Sequence, residues 1–170
     1  VVFPEADDPR ILKACSIIVD ERIARPVLLG DPEQIRGLIR EQDIDLAPDS
    51  FDIIDPRTDA AAATYAELLH RRRERKGVSA ELARLLMRDR NHFGMMMVAE
   101  RRADGIVTGL NFSYSDTIRP ALQIIGIRKG ARKICGMYVM LHRGGMLFFG
   151  DTTVNVDVDA PTLADIAEMV

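Results

Sequence analysis

Apolar and polar positions follow two different periods along the first 127 residues of the chain. Four short apolar runs have the length and composition of buried strands, at residues 1–3, 26–30, 51–54 and 105–109. The intervening stretches predict helices after Asp8-Pro9 and Asp31-Pro32 and over about 60–76, 79–88 and 91–102. Strands that alternate with helices indicate right-handed crossovers, so we predict an α/β fold with a parallel sheet covered on both faces.

The pattern changes after residue 127. Two apolar runs, residues 133–141 and 146–150, flank the sequence His142-Arg143-Gly144-Gly145, which is typical of a hairpin turn. An antiparallel pair after a parallel series indicates a change of architecture. We therefore predict a first domain over residues 1–127 and the beginning of a second over 128–170.

Composition narrows the classes of function that the chain can serve. Its 170 residues, 47% hydrophobic and 29% charged, are those of an ordinary soluble globular protein. The net charge of −3 gives no support to nucleic-acid binding, and no apolar run has the length of a membrane span. Cys15 and Cys135 both lie in apolar patterns, which favours free thiols and a cytoplasmic location.

The two ends of the sequence do not look like natural termini. The chain begins on a strand-like segment without methionine and stops inside a predicted helix. We therefore expect it to be part of a longer polypeptide.

The most informative segment for chemistry is residues 103–126, which predicts a strand, a run of polar residues and a helix. Arg119 stands early in that helix, where its charge opposes the helix dipole. A cap at Asp116 or Thr117 would place Pro120 at the edge of the first turn. The segment also offers hydroxyls, an amide side chain and free backbone N–H groups, from Asn111, Ser113, Ser115 and Thr117. This arrangement suits a phosphate or a carboxylate; the alternative is that Arg119 pairs with an acid and the hydroxyls only cap.

A second basic cluster, residues 70–77, closes a predicted helix at Gly77. Cations are favoured in the last turn of a helix, so at most one or two of these arginines are expected to reach a ligand. The three histidines are far apart in sequence, and the acidic segment 155–161 lacks the glycine that a calcium loop requires. We therefore predict no metal site, and these patterns identify no catalytic residue.

Five segments resemble the phosphate acetyl/butyryl transferase family in order and spacing. They are "VVFPEADDPRIL", "PVLLGDPEQI", "ADGIVTG", "SDTIRPALQIIG" and "DTTVN" followed by "PTLADIA". The resemblance implies a fold of two three-layer αβα lobes, with coenzyme A and acyl phosphate meeting between them. It also implies that this chain contains the first lobe and the start of the second.

A narrower resemblance is to the transferase-like domain fused behind bacterial NADP-dependent, oxaloacetate-decarboxylating malic enzymes, carried by residues 86–98 and 136–155. It implies a domain that binds acetyl-CoA in a regulatory role and forms a homo-oligomer. NADP and a divalent metal would then belong only to a malic enzyme domain outside this chain. The alternatives are an active phosphate acetyltransferase, which interconverts acetyl-CoA and acetyl phosphate, and a non-catalytic oligomerisation module.

The resemblance also assigns ligand-binding roles to individual residues. Arg119 matches the arginine of the family's Ser-Asp-Thr-aliphatic-Arg-Pro motif, and Arg73 matches a second arginine of the same site. The polar run that would line the coenzyme A and phosphate site consists of Asn111, Ser113, Ser115 and Thr117. Phe112 departs from the small or polar residue usual there, and the remaining catalytic positions of the family fall after residue 170.

Overall fold

The computed structural model describes residues 1–170. The chain forms two compact units, Val1–Ile125 and Gly126–Val170.

The first unit is built on a parallel sheet of three strands, β1 (Val2–Phe3), β2 (Val27–Leu29) and β3 (Asp52–Ile54). Strand β2 lies in the centre, with Val2 opposite Val27 and Leu28 opposite Ile53. The predicted α/β fold with a parallel sheet is therefore confirmed.

The predicted fourth strand, residues 105–109, is reduced to one parallel bridge between Val2 and Ile106. The Val2 N–H donates to the Gly105 carbonyl at 2.9 Å, and the Val107 N–H donates to the Val2 carbonyl at 3.0 Å. Beyond that point the backbone N–H groups turn to the Glu5 side chain, so the ladder stops after one residue pair.

Six α-helices complete the first unit: α1 (Pro9–Asp20), α2 (Pro32–Glu41), α3 (Ala61–Arg73), α4 (Ala80–Leu86), α5 (Arg90–Ala99) and α6 (Tyr114–Ile124). Asp8 and Asp31 are the N-caps of α1 and α2, as their Asp-Pro sequences predict. The helix predicted over 60–76 is α-helical as far as Arg73 and continues as a 3₁₀ turn up to Gly77. Gly77 has a φ of 85°, and this conformation ends the helix.

The core of this unit has two parts, one on each face of the sheet. Neighbouring residues of a strand point to opposite faces, so Phe3 and Leu28 pack with α1 and α2. Val2 and Leu29 instead pack with α3 and α5 around Phe93, whose ring lies 5.3 Å from that of Tyr65. The sheet is thus a middle layer between two helical layers.

The second unit contains an antiparallel hairpin, β4 (Met137–His142) and β5 (Gly145–Gly150), followed by α7 (Ala160–Met169). Met137 pairs with Gly150 and His142 with Gly145, which places the turn at the predicted sequence. All twelve residues of the two strands are exposed in this chain. No helix of the chain has the length and apolar character needed to cross a membrane.

Candidate functional site

Helix α6 begins earlier than its sequence predicts. Ser113, rather than Asp116 or Thr117, is the N-cap: it has extended φ and ψ, and its Oγ accepts the Asp116 N–H at 3.2 Å. The same hydroxyl donates to Asp116 Oδ2 at 2.6 Å, so the two side chains hold each other at the start of the helix. The helix therefore starts three or four residues before the predicted position, with the Ser113 hydroxyl as its cap.

The earlier start puts Pro120 inside the helix. Proline has no N–H, so the Asp116 carbonyl, four residues earlier, loses its intrahelical donor. The side-chain amide of Asn91 donates to that carbonyl at 3.4 Å, and Asn91 is 2% exposed. A buried side chain of α5 therefore satisfies the backbone group that Pro120 leaves free.

Three of the predicted site residues lie together at this end of α6. The Ser113 and Ser115 hydroxyls are 2.9 Å apart, and Thr117 Oγ1 donates to the Ser113 carbonyl at 3.2 Å. Ser113 and Ser115 are exposed, whereas Thr117 is half-buried. The result is a surface cluster of hydroxyls, of which Ser115 retains the greatest freedom to contact a ligand.

Arg119 is the sixth residue of α6 and lies in its second turn. Its side chain is exposed and has no hydrogen bond or ion pair within the chain. The structure shows no ion pair between Arg119 and Asp116; the Asp116 carboxylate accepts the Ser113 hydroxyl instead. The guanidinium is therefore available to an anion from outside the chain.

Asn111 has a different set of contacts. Its side-chain carbonyl accepts from Arg10 at 3.0 Å, and its amide donates to Asp8 Oδ2 at 3.0 Å. Asp8 and Arg10 also pair directly at 2.6 Å. Hydrogen bonds from Arg10 and then from Asn111 hold the pKa of Asp8 well below its usual range. The Asn111 side chain thus fastens the loop to the start of α1.

Arg73, the other predicted arginine, is the last residue of α3 and is half-buried. Its neighbours Arg71 and Arg72 pair with Glu67 and Glu100, but the Nε of Arg73 is buried and has no hydrogen-bond partner. Helix α3, which ends at Arg73, packs against α6, which carries Arg119. Within the cluster at residues 70–77, Arg73 is the one with an unsatisfied buried donor.

Glu5 is a functional candidate that the sequence analysis did not single out. It follows β1, is 2% exposed, and accepts backbone N–H groups from Gly109 at 2.7 Å, Leu110 at 3.0 Å and Asn111. Burial by itself would raise the pKa of this carboxyl, but these N–H groups and that of Phe112 outweigh it, so the pKa is lowered. Glu5 comes soon after an apolar strand, and this position was the signal that the sequence offered. A glutamate that is buried there needs partners, because glutamate is almost never buried without them.

No group of three or more His, Cys, Asp or Glu residues could hold a metal ion. Both thiols are free. Burial raises the pKa of the Cys15 thiol to about 12, so it stays protonated at neutral pH.

We therefore expect Cys15 to resist alkylation in the folded protein at pH 8, while the half-buried Cys135 reacts first. Mass spectrometry of peptides after iodoacetamide treatment measures both thiols at once, with the urea-unfolded protein as the control. Equal labelling of the two cysteines in the native state would contradict the burial of Cys15.

Comparison with known proteins finds a matching family model and several similar proteins. A family model described as Phosphate acetyl/butaryl transferase matches residues 1–170. Phosphate acetyltransferase of Synechocystis sp. is 37% identical over 167 residues, which are 98% of this chain and 24% of that protein. Phosphate acetyltransferase of Bacillus subtilis is 35% identical over 167 residues, 98% of this chain and 51% of that protein.

Two solved structures are similar over the same extent. EutD phosphotransacetylase from Staphylococcus aureus superposes with a TM-score of 0.85 at 32% identity, over 98% of this chain and 49% of that chain. A phosphotransacetylase from Streptococcus pyogenes gives a TM-score of 0.87 at 33% identity, over 98% and 50%. The chain thus spans about half of the length of three of these relatives and about a quarter of the Synechocystis protein.

Proposed function

The chain belongs to the Phosphate acetyl/butaryl transferase family, and we propose that it supplies the phosphate-binding part of a site for acyl transfer between coenzyme A and phosphate. In this proposal Val1–Ile125 corresponds to the first lobe of the enzyme and Gly126–Val170 to the start of the second. Arg119, Arg73 and the hydroxyls of Ser113, Ser115 and Thr117 are the proposed contacts to the ligand.

One observation carries the proposal: the arginines that the family motif singles out lack partners of their own. The Nε of Arg73 is buried without an acceptor, although buried N–H donors nearly always have one. Arg119 is exposed, follows Ser115 by four positions on the same helix and pairs with no acid. Guanidinium groups without partners of their own suit the oxygens of a phosphoryl group.

The chemistry of the reaction explains why such groups are useful. When a thiolate attacks the carbonyl carbon of acetyl phosphate, a C–S bond forms, the C–O bond breaks and phosphate leaves with its electron pair. Negative charge grows on the carbonyl and phosphoryl oxygens during this step, and fixed cations stabilise it. In this proposal the attacking sulfur is that of coenzyme A, and the buried, protonated thiol of Cys15 takes no part.

An acyl-transfer assay on the full-length protein tests the proposal. Acetyl phosphate and coenzyme A are supplied, and thioester formation is followed by absorbance. Turnover in the ordinary range of about 1–10³ s⁻¹ is the expected result. Absence of both turnover and binding of coenzyme A or phosphate would refute it.

A second candidate function is that of an acetyl-CoA-sensing domain of a malic enzyme. Such a domain would bind the same ligand but would not catalyse acyl transfer. It is favoured by the similarity of residues 86–98 and 136–155 to that subgroup. A ligand regulates only through different affinities for two states, so acetyl-CoA would have to alter the activity of a malic enzyme domain outside this chain. Calorimetric binding of acetyl-CoA with no acyl transfer would favour this candidate, and absence of binding would leave an oligomerisation role.

A further inference from the structure

We propose that Glu5 is a positioning residue, whose buried carboxylate fixes the loop 108–112 and thereby the start of α6. This inference rests on the proposed function of the site at Ser113, Ser115 and Arg119. Glu5 does not touch the ligand in this scheme; it acts through the backbone that carries those side chains.

The geometry is that of an anion held by consecutive backbone N–H groups. Gly109 has a φ of 107°, in the region that favours glycine, and from there the N–H groups of residues 109, 110 and 111 converge on one carboxylate. Such concave N–H arrangements commonly bind phosphate or other free anions. Here the anion is a side chain of the protein, more than 100 residues away in sequence.

A second contact approaches the same loop from α5. Thr108 Oγ1 lies 2.7 Å from Asn91 Oδ1 and 3.4 Å from Glu5 Oε2, while Asn91 also donates to the Asp116 carbonyl. Glu5 and Asn91 therefore hold the loop and the first turn of α6 from β1 and α5. Both side chains are 2% exposed, so their positions are set by packing.

This arrangement determines how a phosphate can be recognised. Because Glu5 occupies the N–H groups of residues 109–111, these three donors are not available to a ligand, and side chains such as Ser115 and Arg119 take on more of its recognition. Side chains hold a ligand well only when the backbone beneath them is fixed. Release of the loop should therefore weaken ligand binding more than it changes the folded structure.

Glu5→Gln in the full-length protein tests the proposal. The amide keeps the shape of the side chain but removes the charge and turns an NH₂ group toward the backbone donors. We expect the KM for acetyl phosphate to rise about tenfold or more, with a smaller change in kcat, because charged hydrogen bonds to the loop are lost. Hydrogen exchange at the amides of residues 109–111 should accelerate by a similar factor.

Ile35→Val is the matched control, since Ile35 is 1% exposed on the opposite face of the sheet and has no contact with the loop. It should lower Tm without changing KM or the exchange at residues 109–111. Thr108→Val is the second variant if Glu5→Gln does not fold: it removes only the hydroxyl link and should raise KM in the same direction.

The outcomes separate this inference from the proposed function. If wild-type protein neither turns over nor binds phosphate, the proposed function fails, and hydrogen exchange alone decides whether Glu5 fixes the loop. If wild-type protein is active and folded Glu5→Gln has unchanged KM and unchanged exchange at residues 109–111, the positioning role is refuted. The same rise in KM in Ile35→Val would also refute it, because the effect would then be general destabilisation.

Discussion

Arg119→Ala is expected to lower kcat/KM for acyl transfer by about 10²–10³, the usual effect of removing a group that stabilises charge in the transition state. Thermal stability should stay nearly constant, because the side chain is exposed and makes no hydrogen bond or ion pair. Steady-state kinetics with acetyl phosphate and a thermal melt of the same preparation measure both quantities.

Two further variants show whether the effect depends on guanidinium geometry at that position. Arg119→Lys keeps the charge but not the planar pair of donors, so an intermediate loss is expected. Arg36→Ala removes an exposed arginine from α2 and should leave kcat/KM unchanged. Loss of Tm in Arg119→Ala with normal kinetics would instead assign Arg119 a structural role.

The charge of Arg119 was puzzling in the sequence because it was expected in the first turn of its helix. The N-cap at Ser113 moves it to the second turn, where the unfavourable interaction with the helix dipole has declined. An exposed cation there costs little stability. Its placement therefore does not require an anion for electrostatic balance, and the case for ligand binding rests on its lack of partners.

Local signals in the sequence predicted most of the fold. Asp8-Pro9 and Asp31-Pro32 begin helices because an aspartate accepts the free N–H groups and proline needs no donor in the first turn. Gly77 ends the third helix region because it adopts a positive φ without strain. These rules involve residues within four positions of one another, and they do not depend on the rest of the fold.

The candidate site was harder to predict because its geometry depends on distant residues. Nothing near Gly109 in the sequence indicates that Glu5 takes its N–H group, and nothing near Pro120 indicates that Asn91 replaces the missing donor. Both contacts depend on the tertiary fold, which brings β1 and α5 next to residues far from them in the sequence. The serine, threonine and arginine residues of the candidate site could be identified from the sequence, but the N–H groups that Glu5 occupies could not.

Arg73 also illustrates how packing defines the site. Leu69 precedes it by one helical turn and lies on the same face of α3, where it is completely buried in the core cluster that also contains Phe93 and Ile124. This core connects α3, which ends at Arg73, with the last turn of α6. Stability of the unit and placement of the arginine therefore depend on the same side chains.

Leu69→Ala is accordingly expected to lower the free energy of unfolding by about 2–5 kcal/mol, from lost burial and an unfilled cavity. That loss is a large part of the roughly 5–15 kcal/mol that stabilises a typical domain. Leu85→Ala is the matched control: it makes the same change on α4 at a side chain that is 62% exposed, and should shift stability by less than about 0.5 kcal/mol. Urea unfolding followed by far-UV circular dichroism compares the two. Similar losses in both variants would contradict the core assignment of Leu69, whereas a loss confined to Leu69→Ala would support it.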